Sequence, residues 1–163
     1  MTKPSGYSAT QIGLHWIVVL LIVLQYVLHD GISAAWEAVE EGREAASGLL
    51  VPMHILGGVL ISALALWRLA LRARRGTPLP PAGGHPALDL VARVTHGALY
   101  LLMLLLPLTG ALAWFGGVET AAGIHVVLTA LLLVLAGLHV AAALFHHFVM
   151  KDGLLNRMGR PAS

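Results

Sequence analysis

The sequence predicts an all-α integral membrane protein, a four-helix bundle with both termini on the cytoplasmic side. Three observations carry this. Of the 163 residues 58% are hydrophobic and only 11% are Asp, Glu, Lys or Arg, about half the charged share of a soluble domain. Four apolar segments are each long enough to cross a bilayer core about 30 Å thick. The charged residues between them are sorted by sign from one connection to the next. The length suits a single domain, residues 1–163.

The first apolar segment is Ile12 to Leu28. A short polar start precedes it and no Ala-x-Ala cleavage site follows, so it reads as a retained membrane helix and not a signal peptide. The next stretch, Ala34 to Gly48, is acidic and amphipathic, and Trp36-Glu-Ala-Val-Glu-Glu41 suits a short interfacial helix. The second segment is Val51 to Leu71. It is followed by Gly76-Thr-Pro-Leu-Pro-Pro-Ala-Gly-Gly-His-Pro86, a linker too rich in Pro and Gly to be helical. The third runs from about Leu90 to Phe115 and holds Pro107, which should kink it. Gly116-Gly117 opens a tight connection to the fourth, His125 to Met150, whose last turns leave the membrane. Backbone groups in lipid must be satisfied within the segment, so all four are helices.

The positive-inside rule orients them. The first connection holds Asp30, Glu37, Glu40, Glu41 and Glu44 against Arg43, and the third holds Glu119. The remaining nine of the ten Lys and Arg residues are Lys3, Arg68, Arg72, Arg74, Arg75, Arg93, Lys151, Arg157 and Arg160. Both termini and the Arg-rich second connection therefore face the cytoplasm. Trp16, Trp67 and Trp114 lie near helix ends and read as interface anchors.

Polar side chains at membrane depth are expensive and functional by default. His125 and His139 are fourteen residues apart on the fourth segment, close to four turns, so both rings leave one face roughly 21 Å apart along the axis. With the orientation above, His54 pairs in depth with His125 in the outer half, and His15 with His139 in the inner half. Two imidazoles from different helices, facing across a bundle, are what six-coordinate b-type haem iron requires, and bis-axial ligation suits electron transfer. The chain has no cysteine, which excludes disulfides, thiolate iron–sulfur ligation and covalent Cys-x-x-Cys-His haem attachment. Two non-covalent b haems are therefore expected. Gly13, Gly57, Gly58, Gly123 and Gly137 lie beside the four histidines, where a missing side chain lets a helix approach a porphyrin. His96, near the inner end of the third segment, is read as a group that supports the inner site or a quinone site, with the alternatives of bonding a propionate or competing as an inner ligand. His146, His147 and Trp16 are candidates for a quinone pocket, with a histidine hydrogen-bonding a quinone carbonyl. Arg72, in the basic cluster with Arg68, Arg74 and Arg75, is a candidate partner for a haem propionate.

The pattern resembles the bacterial cytochrome b561 family, four-helix di-haem membrane proteins. The matching stretches are Gln11-Ile-Gly-Leu-His-Trp16, Met53-His-Ile-Leu-Gly-Gly58 with Trp67-Arg-Leu-Ala-Leu-Arg72, His96-Gly-Ala-Leu-Tyr100 with Pro107-Leu-Thr-Gly110, and Ile124-His125 with Gly137-Leu-His-Val-Ala-Ala-Ala-Leu-Phe-His-His147 and Lys151-Asp152. They fall on all four helices, and the closing Gly-Leu-His-x-Ala-Ala-Ala-Leu-x-His-His is the most specific. The resemblance implies that His15, His54, His125 and His139 are axial ligands. One family member takes electrons from superoxide at the periplasmic face and passes them to ubiquinone, which implies a superoxide:ubiquinone oxidoreductase-like activity here.

The expected function is thus a di-haem cytochrome carrying electrons across the inner membrane from a periplasmic donor to ubiquinone. Its surroundings are lipid, quinone and that donor. A homo-oligomer is compatible with the sequence, and nothing in it suits nucleic acid. The first rival is a b-type membrane-anchor subunit relaying electrons for a dehydrogenase or hydrogenase. The second is a proton or metal-ion transporter, against which the four apolar segments contain no Asp or Glu.

Overall fold

A computed structural model describes residues 4, 6–44, 48–78 and 86–162. The Pro/Gly linker expected over 76–86 falls partly outside the described residues, as do His85 and Lys3. Within them the chain is all-helical: α1 Ala9–Val27, α2 His29–Glu40, α3 Leu50–Arg75, α4 Pro86–Gly116 and α5 Glu119–Phe145. A π-helical turn, His146–Met150, continues α5, and a 3-10 turn, Leu155–Met158, follows. Helices α1, α3, α4 and α5 with its π turn are each long and apolar enough to cross a membrane.

The ends of these helices follow from local chemistry. Ser8 caps α1 in a capping box: its hydroxyl accepts the Gln11 N–H, and the Gln11 side chain accepts the Ser8 N–H, which satisfies two otherwise orphaned donors. The acidic helix α2 is longer than the sequence suggests and starts one residue after α1. It ends in a Schellman turn, with Arg43 N–H on the Ala38 carbonyl, Gly42 N–H on Val39, and Gly42 at φ 70°. Pro86 opens α4, where its missing N–H costs nothing. Helix α5 starts six residues before the expected His125. Only Gly117 and Val118 separate it from α4, because Gly117 takes φ 64° and the two N–H groups close on the Ala113 and Leu112 carbonyls.

Helical structure runs through Pro107. A proline there cannot bond the carbonyl four residues back, which is that of Met103. The Ser62 hydroxyl of α3 donates to it instead, at 2.5 Å, so the proline's cost becomes an interhelical contact.

Helix α1 packs on α3, α3 on α4, and α4 most extensively on α5. A cluster of Val18, Ile61, Ala65, Leu102, Met103 and Leu132 draws one or two residues from each long helix. Large apolar side chains such as Leu20, Val27, Leu56, Leu108 and Val134 remain exposed around the outside, as a lipid-facing surface requires.

Candidate functional site

Two of the helix pairs that carry the histidines stand apart. Helix α5 packs closely on α4, whereas neither α1 nor α3 makes comparably close backbone packing with it. Across those two gaps the imidazoles face each other. The rings of His54 (α3) and His125 (α5) have centroids 6.2 Å apart at 67°. Those of His15 (α1) and His139 (α5) are 6.4 Å apart at 75°. All four residues are half-buried.

The His125 ring is held by the Pro107-Leu-Thr-Gly110 turn of α4. Its Nδ1 lies 2.9 Å from the Leu106 carbonyl and 3.1 Å from the Thr109 hydroxyl. The carbonyl only accepts, so Nδ1 carries the proton and Nε2 keeps its lone pair, the tautomer a metal-binding histidine needs. Gly110 makes room for the ring: a Cβ there would sit 3.1 Å from His125 Cε1. His54 is anchored through its backbone, whose carbonyl accepts the Gln25 side-chain amide at 2.9 Å. Its Nδ1 is buried with no hydrogen-bond partner.

The other pair has a more polar setting. His96 lies against His139 with centroids 5.0 Å apart, and its Nδ1 donates to the Ala92 carbonyl at 2.6 Å. Arg68 of α3 places Nη2 3.0 Å from His15 Nδ1 and its guanidinium carbon 5.6 Å from the centre of the Tyr100 ring. Trp16 stacks edge-on to His15 at 5.3 Å.

These residues fit haem. An imidazole nitrogen sits about 2.0 Å from a first-row metal, so two rings bound trans to one ion have centroids roughly 6.3 Å apart once the ring radius is added on each side. Both pairs have that spacing; His96 and His139 are too close for it. Among the described residues no three His, Cys, Asp or Glu side chains form a metal cage. A porphyrin supplies four nitrogens itself and asks the protein for two. Of the glycines singled out in the sequence, Gly13, Gly58, Gly123 and Gly137 open onto free space, whereas the Gln25 amide fills the place a side chain would take at Gly57.

The quinone candidates do not come together. Trp16 donates its indole N–H to the Met158 carbonyl at 2.9 Å and lines a cavity of about 480 Å³ with Leu155, Asn156, Met158, Gly159 and Arg160. Neither His146 nor His147 lines it. His146 Nδ1 is bound 2.5 Å from the Asp152 carboxylate, and the His147 ring packs on Phe148. Partial burial pushes the Asp152 carboxyl up, but the hydrogen bonds from His146 and the Leu154 N–H outweigh it and hold the group below the usual carboxylate value. The guanidinium within hydrogen-bond distance of His15 is that of Arg68. Sequence reasoning missed the specific roles of Arg68, Gly110 and the Leu106 carbonyl. For Arg68 a signal existed: it follows His54 by fourteen residues, the same interval as His125 to His139.

Comparison with known proteins identifies the family. The family model described as prokaryotic cytochrome b561 matches residues 6–161. Cytochrome b562 of Cereibacter sphaeroides is 40% identical, with 99% of each chain covered. Cytochrome b561 homolog 1 of Escherichia coli is 30% identical over 93% of this chain and 96% of its own. A probable superoxide oxidase, CybB of Yersinia pestis, is 29% identical over 93% of this chain and 94% of its own.

Proposed function

The chain belongs to the prokaryotic cytochrome b561 family, a multi-pass membrane cytochrome of electron transfer, and from that premise we propose a di-haem relay across the bacterial inner membrane, from a periplasmic donor to ubiquinone. His54 and His125 ligate the outer haem, His15 and His139 the inner one, and both termini lie in the cytoplasm. The observation that carries this reading is the pair of imidazole ring separations, 6.2 and 6.4 Å, between helices that do not otherwise pack closely.

Haem b supplies a one-electron carrier at each level. The protein residues hold, orient and tune. The Leu106 carbonyl fixes the His125 tautomer and raises the basicity of the ring. The Val18, Ile61 and Leu132 layer excludes water from the middle of the bundle. Ubiquinone fits the cavity beside Trp16, where Asn156 and Arg160 offer donors for a carbonyl oxygen one side chain away from His15. Asp30, Glu37, Glu40, Glu41 and Glu119 give the outer face a negative potential that disfavours an anionic donor such as superoxide and favours a neutral or cationic one.

The test is a reduced-minus-oxidised spectrum of the purified chain with haem counted per protein. Two low-spin b haems are expected. A folded preparation that stays colourless when haem is supplied overturns the reading.

A further inference from the structure

On α3, as on α5, fourteen residues join the two levels. Helix α5 places a histidine at each, His125 and His139. Helix α3 places a histidine at one and Arg68 at the other. The half-buried Arg68 reaches within 3.0 Å of His15 Nδ1 and lies over the Tyr100 ring, which favours a cation on its face. At the other level the groups hydrogen-bonded to the two histidines are neutral, the Leu106 carbonyl, the Thr109 hydroxyl and the Gln25 amide, and the titratable group acting on both rings is His29, with no guanidinium among them.

We infer that Arg68 sets the direction of electron flow by placing a fixed positive charge beside the inner ligand, and this rests on the haem ligation proposed above. A guanidinium only donates, so at this distance Nδ1 is an acceptor. A His15 that gave Nε2 to iron would carry its proton on Nδ1; the two donors would then part, and Arg68, held over the Tyr100 ring, would act through its charge alone. Taking up one electron makes a haem one unit more negative. A cation within a few ångströms of its ligand, in a bundle of low dielectric, therefore favours the reduced form. The Leu106 carbonyl works the other way at the outer level: by accepting from His125 it makes that ligand a stronger electron donor and favours the oxidised form. The two levels are biased in opposite senses, and the electron is drawn from outer to inner. Arg68 is a positioning residue whose permanent charge does not depend on pH.

The experiment is a potentiometric titration of the haem-loaded full chain, with the two haems resolved by their low-temperature spectra and assigned with His54→Ala, which should keep the inner haem alone. Arg68→Gln and the near-isosteric Arg68→Met are expected to shift the inner reduction equilibrium toward the oxidised form by about tenfold or more, and tenfold is 59 mV for one electron. The outer potential should stay in place, and Arg68→Lys should restore most of the shift. An inner potential unmoved in both neutral variants overturns the inference, as does an equal shift of both haems. Loss of the inner haem from both neutral variants also overturns it, because Arg68 would then be holding the group and not setting its potential. A wild-type chain that binds no haem overturns the underlying reading instead.

Discussion

The two histidine levels each present a pair of facing imidazoles and differ in almost everything around them. The His54–His125 pair is held by the Leu106 carbonyl, one hydroxyl and the amide of Gln25. The His15–His139 pair sits among a third histidine, a guanidinium, a tyrosine face, an indole and the C-terminal segment. Axial ligands fix what binds, and the second layer decides how each copy behaves. A relay needs that difference, since two identical carriers in identical settings would give an electron no preferred direction.

Removing a ligand should have the largest effect. His125→Ala or His54→Ala is expected to halve the haem content and spare the inner spectrum, and His15→Ala or His139→Ala to do the reverse, measured as haem per chain. If His96→Ala removes a haem while His15→Ala does not, the inner pairing is wrong. Gly110→Leu comes next. A Cβ at this position already crowds His125 at 3.1 Å, and a branched side chain must displace the ring. The outer haem should lose occupancy or low-spin character with the inner haem unchanged. The helix itself gains about 1 kcal/mol from losing a mid-helix glycine, which offsets part of the overpacking cost, and an unchanged inner haem separates a local effect from unfolding. Ser62→Ala should be milder. It leaves the Met103 carbonyl freed by Pro107 without its donor, which costs about 1–3 kcal/mol. The melting temperature should fall with both haem spectra intact.

The spans and the histidine pairing were legible because they rest on periodicity and charge sign. Fourteen residues is close to a whole number of turns, and the arginine asymmetry orders the helices, so residues far apart in sequence could be put at one depth. The polar settings were less legible. That Leu106 offers its carbonyl to His125 depends on how α4 faces α5, which no local pattern encodes. Arg68 was hidden as one of a cluster of four arginines that a topology signal already explained, and its approach to His15 depends on how α3 faces α1. His146 was read as facing a quinone because the sequence shows its helix face, but not that Asp152, six residues on, folds back to bind it.

That fold-back supports the smallest prediction, which concerns the inner level alone. Asp152 accepts from His146 and from the Leu154 N–H. The turn it makes leads into the segment that lies on Trp16 and on Tyr7, where the Ala162 N–H meets the Tyr7 carbonyl at 3.0 Å. Its carboxyl is depressed from the ordinary 3.8. A depressed carboxylate contributes stability that is fully present above the unfolded value and is lost as pH falls through the folded one. The C-terminal segment should therefore stay docked at neutral pH and loosen below 3.8, with no loss on the alkaline side from this group. Limited proteolysis after Lys151 reads the docking at neutral pH, where Asp152→Ala should be cut faster than the wild type. Trp16 fluorescence, taken as the difference from Trp16→Phe, reads the acid limb. The outer haem spectrum should be unchanged throughout. An outer haem that responds to Asp152→Ala as strongly as the inner one would mean that the two levels are not independently surrounded.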